Sequence, residues 1–303
     1  MIGGLKKFRV YSELRYIYRS FAIYRKLISY LYYRFVVGPK LRRLSRAIDR
    51  PAATQQYSVH MLCNHDGLDL LLWSLLSWYR VVEQTGQVYL HEDGTFTPDD
   101  RKLINRLLPS AKIIERAWAT KQIKEWLASY PVTRSFREYD DRYIFALKLV
   151  DPYFVSPAPA KLVLDIDVLW FKKPEQLLDM LLLKNISFMI KSQTPMEYVF
   201  ASGEGLPAGQ EFANGGIVGY QLGHFSLDRL EEFIQRNGPG NPSRLIDQAG
   251  YVNVLARSGK FEYLNEEDYT LKPKPDPVVR HYTGPVREKF WFEGVKHVWH
   301  TRI

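Results

Sequence analysis

The sequence predicts an α/β fold with a mostly parallel central sheet flanked by helices, preceded by a basic amphipathic helix. Two observations favour this fold. After Pro51, short apolar segments alternate with segments of helical periodicity, which is the pattern of βαβ units. Before Pro51, apolar side chains recur every three or four positions. We therefore divide the chain into a helical appendage, residues 1–50, and a folded domain, residues 51–303.

The positive charge of the chain is confined to the appendage. The whole sequence has a net charge of +9, but residues 1–50 contain 13 Lys/Arg and only 2 acids, so the remainder is slightly negative. This asymmetry indicates an anionic partner for the appendage. A nucleic-acid footprint would extend into the folded domain, so we expect no nucleic-acid partner.

The appendage is predicted to form one helix over residues 10–35, which Gly38-Pro39 ends. Its apolar face consists of Val10, Leu14, Ile17, Phe21, Tyr24, Ile28, Leu31 and Phe35. Three interpretations are open: an interfacial helix on an anionic membrane through residues 5–50, a coiled-coil partner helix, or a helix packed on the chain's own domain. We favour the membrane surface.

Other features exclude several classes of protein. No run of 18 apolar residues exists, so we expect no transmembrane helix. The start MIGGLKKFRV lacks the apolar region of a signal peptide. The one cysteine, Cys63, excludes a disulfide framework and a cysteine-based zinc site. We therefore expect a cytoplasmic protein that is peripheral on the inner face of the membrane.

The folded domain has six predicted strands and seven predicted helices. The strands are Tyr57–Cys63, Gln87–His91, Ala111–Glu115, Lys161–Asp165, Ile186–Lys191 and Gly215–Gln221. The helices are Leu68–Val82, Pro98–Leu108, Lys121–Tyr130, Tyr139–Val150, Pro174–Leu183, Ser226–Gln235 and Arg244–Arg257. Proline suits the first turn of a helix, where its missing N–H has no partner to lose, and two of these helices begin with it.

The strongest chemical signal is the segment KLVLDIDVLWF, residues 161–171. It reads as a buried strand that ends in Asp165-Ile166-Asp167. Ligands of parallel α/β sheets bind at the carboxyl ends of strands. Two carboxylates there, two residues apart, can hold a divalent cation that is shared with substrate phosphates. Alone, such a triplet is more often a solvated strand end, so the neighbouring motifs decide the interpretation.

Two further segments point to the same chemistry. The segment EFANGGIVGYQ, residues 211–221, places a Gly-Gly pair at a strand, where a ligand can approach the backbone closely. The segment RHYTGPVREKFW, residues 280–291, can supply a histidine metal ligand, a backbone amide and an arginine for phosphate. In isolation, each segment also fits a plain turn or strand end.

Together, D-x-D, A-N-G-G, D-Q and H-x-x-G-x-x-R, in this order, resemble a nucleotide-sugar glycosyltransferase with the Rossmann-like GT-A fold. The pattern is most similar to family 8, the glycogenin and bacterial galactosyltransferase relatives, and covers residues 57–295. The resemblance implies transfer of a sugar from a nucleotide-sugar, usually a UDP-sugar, to a glycan or lipid-linked acceptor, with retention. It also implies Mn²⁺, or Mg²⁺, as the cofactor.

The resemblance assigns roles to the matching positions. The metal ligands are Asp165, Asp167 and His281. The nucleotide-sugar contacts are Asn64, Lys148, Asp165, Ile166, Asn214, Gly215, Gly284 and Arg287. The pair next to the reacting carbon is Asp247 and Gln248. The sequence departs from the family twice: position 287 is arginine where the family has lysine, and the F-N-x-G segment contains an extra residue.

Two other functions fit the same residues. A haloacid dehalogenase-type phosphatase also has a strand ending in D-x-D, with Asp165 as nucleophile and Asp167 as acid–base. It requires a later acidic pair, for which residues 266–268 are the one candidate. The other is a transferase-like scaffold without activity. An inverting transferase would need a carboxylate base, and Glu211, Asp228 and Asp247 are available.

Overall fold

The computed structural model describes residues 2–139, 144–192, 195, 206, 209–237 and 245–301, with the backbone alone for residues 2–9. The strands are β1 (Ala52–Cys63), β2 (Gln84–Glu92), β3 (Lys112–Ile114), β4 (Ala160–Leu164), β5 (Val168–Trp170), β6 (Ser187–Lys191), β7 (Ala213–Gln221), β8 (Phe261–Tyr263), β9 (Tyr269–Thr270) and β10 (Val279–His281).

The helices surround these strands. They are α1 (Ile2–Ala22), α2 (Leu27–Leu31), α3 (Leu68–Val81), α4 (Pro98–Leu107), α5 (Arg116–Trp126), α6 (Pro131–Glu138), α7 (Phe145–Val155), α8 (Glu175–Leu178), α9 (Leu227–Asn237), α10 (Ile246–Ala256) and α11 (Lys296–His300). Short 3₁₀ and π segments connect several of them.

The central sheet has seven strands in the order β3-β2-β1-β4-β7-β6-β8. Strand β7 runs antiparallel to β4 and β6, and the other neighbouring pairs are parallel. The prediction of an α/β fold with a mostly parallel sheet is confirmed. A second sheet, in the order β5-β10-β9, lies against the carboxyl end of β4 and was not predicted, since its strands have only two or three residues.

Apolar side chains cover both faces of the central sheet. Along β4, Leu162 and Leu164 belong to the cluster that contains α3, while Val163 belongs to the cluster that contains α7 and α10. This alternation is the period of two expected of a strand buried on both faces. The helices thus form a layer on each side, and the carboxyl edge of the sheet lies between them.

The boundaries of several helices differ from the prediction. Helix α4 begins at Pro98, as predicted, after Thr97, which forms a capping box with Asp100. The predicted helix over residues 139–150 is wrong at its start: α7 begins at Phe145, continues through Pro152, and is preceded by the unpredicted α6. Residues 140–143 lie outside the described residues.

The N-terminal segment is not the single helix predicted over residues 10–35. Helix α1 ends at Ala22, Arg25 adopts a left-handed φ of 53°, and α2 is followed by a π segment (Tyr32–Val37) and a 3₁₀ segment (Gly38–Arg43). The break changes the direction of the chain, so that Tyr30 and Val37 reach the core. Helical periodicity in a sequence does not reveal such a turn.

The core extends across the predicted boundary at residue 50. Tyr30, Val37, Leu41 and Ile48 are buried in the same cluster as the tryptophans of α3. The division into residues 1–50 and 51–303 stays a prediction. Among the helices that the structure describes, none combines the length and the apolar character needed to cross a bilayer.

Candidate active site

The D-x-D triplet forms the connection between β4 and β5 at the carboxyl edge of the sheet. Strand β7 and the residue after β10 hold its backbone: Asp165 N donates to Gly216 O over 2.9 Å, and Tyr282 N donates to Asp167 O over 2.9 Å. The side chain of Asp167 is buried, whereas that of Asp165 is partly exposed. The triplet is therefore rigid, and Asp165 is accessible to a ligand.

His281, the last residue of β10, joins the two carboxylates. Its Nε2 lies 3.1 Å from Asp167 Oδ1 and 3.4 Å from Asp165 Oδ2. Its Nδ1 lies 2.9 Å from Asn214 Oδ1, which orients the ring. One ligand atom from each of the three residues falls within 4.8 Å of the others, and in the described part of the chain no other His, Cys, Asp or Glu group meets this criterion.

A glycine makes room for this imidazole. A Cβ atom on Gly216 would lie 2.2 Å from His281 Nδ1 and 2.3 Å from its Cε1. The Gly-Gly pair of the sequence does permit a close approach, but at Gly216 the neighbour is the ring of His281. The sequence predicted a close approach to the backbone by a ligand. At Gly216 the group that approaches is the side chain of His281, which the sequence could not indicate.

Lys148 of α7 connects the metal-ligand candidates to the D-Q pair of α10. Its Nζ donates to Asp165 Oδ1 over 2.6 Å and to Gly215 O over 2.7 Å, and it lies 3.4 Å from Asp247 Oδ2. Gln248 Oε1 accepts from Gly215 N over 3.1 Å. These predicted residues, from three separate elements, thus form one connected group.

Arg287 completes the group on the other side. Its Nε and Nη2 donate to Asp167 Oδ2 over 2.9 and 2.6 Å. Its side chain remains 39% exposed. A guanidinium that is anchored on one side and open on the other can also contact an anionic ligand.

The charges in this site perturb one another. Burial alone would lower the pKa of His281, but the carboxylates of Asp167 and Asp165 raise it to about 9. Burial opposes ionisation of Asp165 as well, yet Lys148 and His281 hold its pKa well below the usual range. Burial dominates at Asp247 and raises its pKa, against the charge of Lys148. Such balanced burial and charge are typical of functional sites.

Two of the remaining predicted residues form a wall beside this group, and the third, Gly284, lies in the turn that connects two of its members. Asn64 Oδ1 accepts from Gly67 N over 2.8 Å, and a Cβ on Gly67 would meet both Asn64 and Ile166, so these residues form one wall at the end of β1. Gly284 begins a short 3₁₀ turn between His281 and Arg287, and no described atom lies within 4 Å of a Cβ placed there.

Sequence reasoning missed the contribution of the N-terminal helix. Arg19 of α1 lies 2.9 Å from the buried carboxylate of Glu288, the residue after Arg287. The phenol of Tyr16 lies in the field of Arg287 and Asp167, and burial raises its pKa. No signal in the sequence could have paired residues so distant along the chain.

The acidic run at residues 266–268 does not join the D-x-D triplet. Glu267 pairs with Lys274 over 2.6 Å, and Asp268 accepts from Asn265. Among the described residues, the third candidate metal ligand beside Asp165 and Asp167 is His281, and not one of these acids. The arrangement that a phosphatase of the haloacid dehalogenase type requires is therefore not formed by these acids.

Comparisons with known proteins agree with this geometry at the level of the fold. No family model matches the chain, and no curated protein does either. The solved structure of an active-site mutant of LgtC is 16% identical, covers 75% of this chain and 88% of its own, and has a TM-score of 0.51. This chain has the GT-A fold.

Two other solved structures are similar. The galactosyltransferase LgtC, in complex with donor and acceptor sugar analogues, is 15% identical and covers 75% of this chain and 87% of its own, with a TM-score of 0.49. Mouse xyloside xylosyltransferase 1 in its apo form is 13% identical and covers 76% of this chain and 98% of its own, with a TM-score of 0.47. The GT-A fold expected from the motifs is confirmed by the similarity to the mutant LgtC structure, whereas the roles of single residues stay predictions.

Proposed function

We propose that this protein is a metal-dependent glycosyltransferase that transfers a sugar from a UDP-sugar to a glycan or lipid-linked acceptor, with retention. The observation that carries the proposal is the convergence of Asp165, Asp167 and His281 next to Arg287, at the carboxyl edge of a GT-A fold. Retention and the UDP carrier rest on the family resemblance.

The three candidate ligands suit a divalent cation. Two carboxylate oxygens and one imidazole nitrogen are a ligand set that Mn²⁺ accepts, while Mg²⁺ takes mainly oxygen. Asp165, Asp167 and His281 would hold the ion, and Asn214 would orient the imidazole through Nδ1. When bound, the ion would stabilise the negative charge that develops on the departing nucleoside diphosphate.

The protein's own side chains would supply the rest of the site. Arg287 would bind the diphosphate through the guanidinium edge that Asp167 leaves free. Lys148 neutralises Asp165 and Asp247, and so keeps both carboxylates in place around the sugar pocket that Asn214 and Gly215 would line. Asp247 and Gln248 would lie next to the reacting carbon.

Nucleotide binding tests this proposal directly. We expect UDP, and not GDP, CMP or ADP, to raise the melting temperature in the presence of Mn²⁺ and to have no effect with EDTA. A ligand at 100 times its dissociation constant adds about 2.7 kcal/mol to the free energy of unfolding. Asp165→Asn should remove the shift, whereas Asp276→Asn, at an exposed ion pair, should retain it.

The outcomes separate the three functions. A Mn²⁺-dependent shift with another nucleotide would correct the donor and keep the mechanism. No shift with any nucleotide would contradict the proposal. Hydrolysis of small phosphomonoesters would then support the phosphatase, and its absence the scaffold.

We also propose that the N-terminal segment docks on an anionic membrane, which places the enzyme peripherally on a cytoplasmic face near lipid-linked acceptors. The supporting observation is an apolar surface on α1 and α2, including Leu14, Phe21 (64% exposed) and Ile28 (84% exposed). The exposed basic residues Arg15 and Lys26 lie among these side chains. Apolar insertion combined with attraction to anionic lipid is how interfacial helices bind.

Vesicle sedimentation tests the docking. Full-length protein should sediment with vesicles that contain anionic lipid, and replacing Leu14, Phe21 and Ile28 together by serine should abolish this. The control is Leu183→Ser, which changes an equally exposed apolar side chain (75%) outside the N-terminal segment. If the wild-type protein stays in the supernatant at moderate salt, or the triple variant still sediments, the membrane proposal is wrong.

A further inference from the structure

The N-terminal helix packs directly on the segment that carries Arg287. Arg19 Nε lies 2.9 Å from Glu288 Oε1. The ring of Tyr24, just beyond α1, lies 5.8 Å from the ring of Phe292, and Lys289 Nζ lies 4.6 Å from the centre of the same Tyr24 ring. The turn from Arg287 to Phe292 is therefore held between the N-terminal segment and the second sheet.

The carboxyl group of Glu288 is buried by this packing and lies next to the charge of Arg19. Its side chain is 0% exposed, and burial raises the pKa of its carboxyl group while Arg19 opposes the rise. Burying an ionised carboxylate is costly, and a nearby cation reduces that cost. Arg19 lies within ion-pair distance of Glu288, although the contact lacks the geometry of a hydrogen bond. The attraction between the two charges therefore couples α1 to Glu288.

The adjacent residue points the other way, toward the site. Arg287 donates through Nε and Nη2 to Asp167 Oδ2. Because Arg287 and Glu288 share one peptide unit, a movement of Glu288 out of its buried position changes the backbone from which Arg287 extends. The ion pair with Arg19 therefore restrains the guanidinium that faces the site.

We infer that Arg19 is a positioning residue of the donor site, which fixes Arg287 through Glu288 and thereby sets the affinity for the nucleoside diphosphate. This inference rests on the proposed function, in which Arg287 binds the diphosphate. It makes the N-terminal helix a part of the donor site, and not only a means of docking.

The experiment measures UDP binding in the presence of Mn²⁺ by calorimetry, with full-length protein well below its melting temperature. We expect Arg19→Gln to weaken binding about tenfold, which corresponds to about 1.4 kcal/mol, and Arg19→Lys to restore most of the affinity. The control Arg236→Gln breaks an exposed ion pair and should change the dissociation constant less than twofold. A purely structural role of Arg19 lowers the melting temperature and leaves this constant unchanged.

A second variant, Glu288→Gln, tests the same ion pair if Arg19→Gln does not fold well. Glu288→Gln preserves the shape of the side chain and removes the charge that Arg19 holds, so it should weaken UDP binding similarly and speed hydrogen exchange of residues 282–292. If wild-type protein binds none of UDP, GDP, CMP and ADP with Mn²⁺, the proposed function fails. If wild-type protein binds UDP and both variants bind equally well, the positioning role of Arg19 is wrong and the proposed function stands.

Discussion

Gly216→Ala should disable the metal site although it replaces none of the proposed ligands. The added Cβ would lie 2.2 Å from His281 Nδ1, 2.3 Å from Cε1 and 2.8 Å from Cγ. Carbon atoms in contact are separated by about 3.5 Å or more, so the ring has to move by roughly 1.3 Å. Backbone movement is restricted, because Gly216 O also accepts from Asp165 N.

The displacement is large relative to the tolerance of the site. A ligand set performs within about 0.5 Å of its productive geometry, and His281 Nε2 is already 3.1 Å from Asp167 Oδ1. Disturbing the groups that orient a metal ligand typically lowers the metal affinity about 10–100-fold. We therefore expect Mn²⁺ affinity to fall about 100-fold, while overpacking lowers the free energy of unfolding by about 1–3 kcal/mol.

Titration of Mn²⁺ followed by electron paramagnetic resonance measures the free ion directly. The control is Gly223→Ala, because a Cβ there meets no described atom within 4 Å. Circular dichroism establishes that each variant is folded at the temperature of the titration. A folded Gly216→Ala protein with wild-type Mn²⁺ affinity would refute the assignment of His281 as a ligand.

Two predictions concern stability. Arg137 and Asp151 form a buried ion pair with contacts of 2.6 and 2.8 Å. Arg137→Leu should therefore lower the free energy of unfolding by about 3–5 kcal/mol in urea denaturation, and a loss below about 1 kcal/mol contradicts this. Replacing both residues by leucine should recover much of the lost stability. Burial lowers the pKa of His60, and that of His91 to about 4. Because both stay neutral in the fold and protonate near pH 6.5 when unfolded, their contribution to stability should be full above pH 6.5 and be lost as the pH falls below it. His281, whose pKa is raised to about 9, contributes with the opposite sign between pH 6.5 and 9. An unchanged melting temperature between about pH 7.5 and 5 would contradict this.

The order of elements was predictable because it depends on local patterns. Six strands of the central sheet follow from apolar runs, and the D-x-D triplet follows from its position after a buried strand. Short strands such as β9 and β10 were not predictable, since two or three residues carry no period. The pairing of β10 with β5 is nevertheless what delivers His281 to Asp167.

Apolar periodicity likewise identified the N-terminal segment, but not how its side chains are distributed. Val10, Leu14 and Phe21 are exposed, as the membrane interpretation requires, whereas Ile17 and Tyr24 pack on the core. One apolar stripe is therefore divided between the exposed surface and the core. A period of 3.6 residues describes the face of a helix and contains no information about what covers it.

The sequence by itself determined the fold class, the carboxylate pair and the family resemblance, because each of these depends on local periodicity or on short motifs. Only the tertiary structure decided which glycine faces His281, that Lys148 links Asp165 to Asp247, and that Arg19 reaches Glu288. These contacts join residues separated by many elements, and their distances depend on how the sheets and helices pack. A local pattern specifies an element, while a site is formed by the packing that brings elements together.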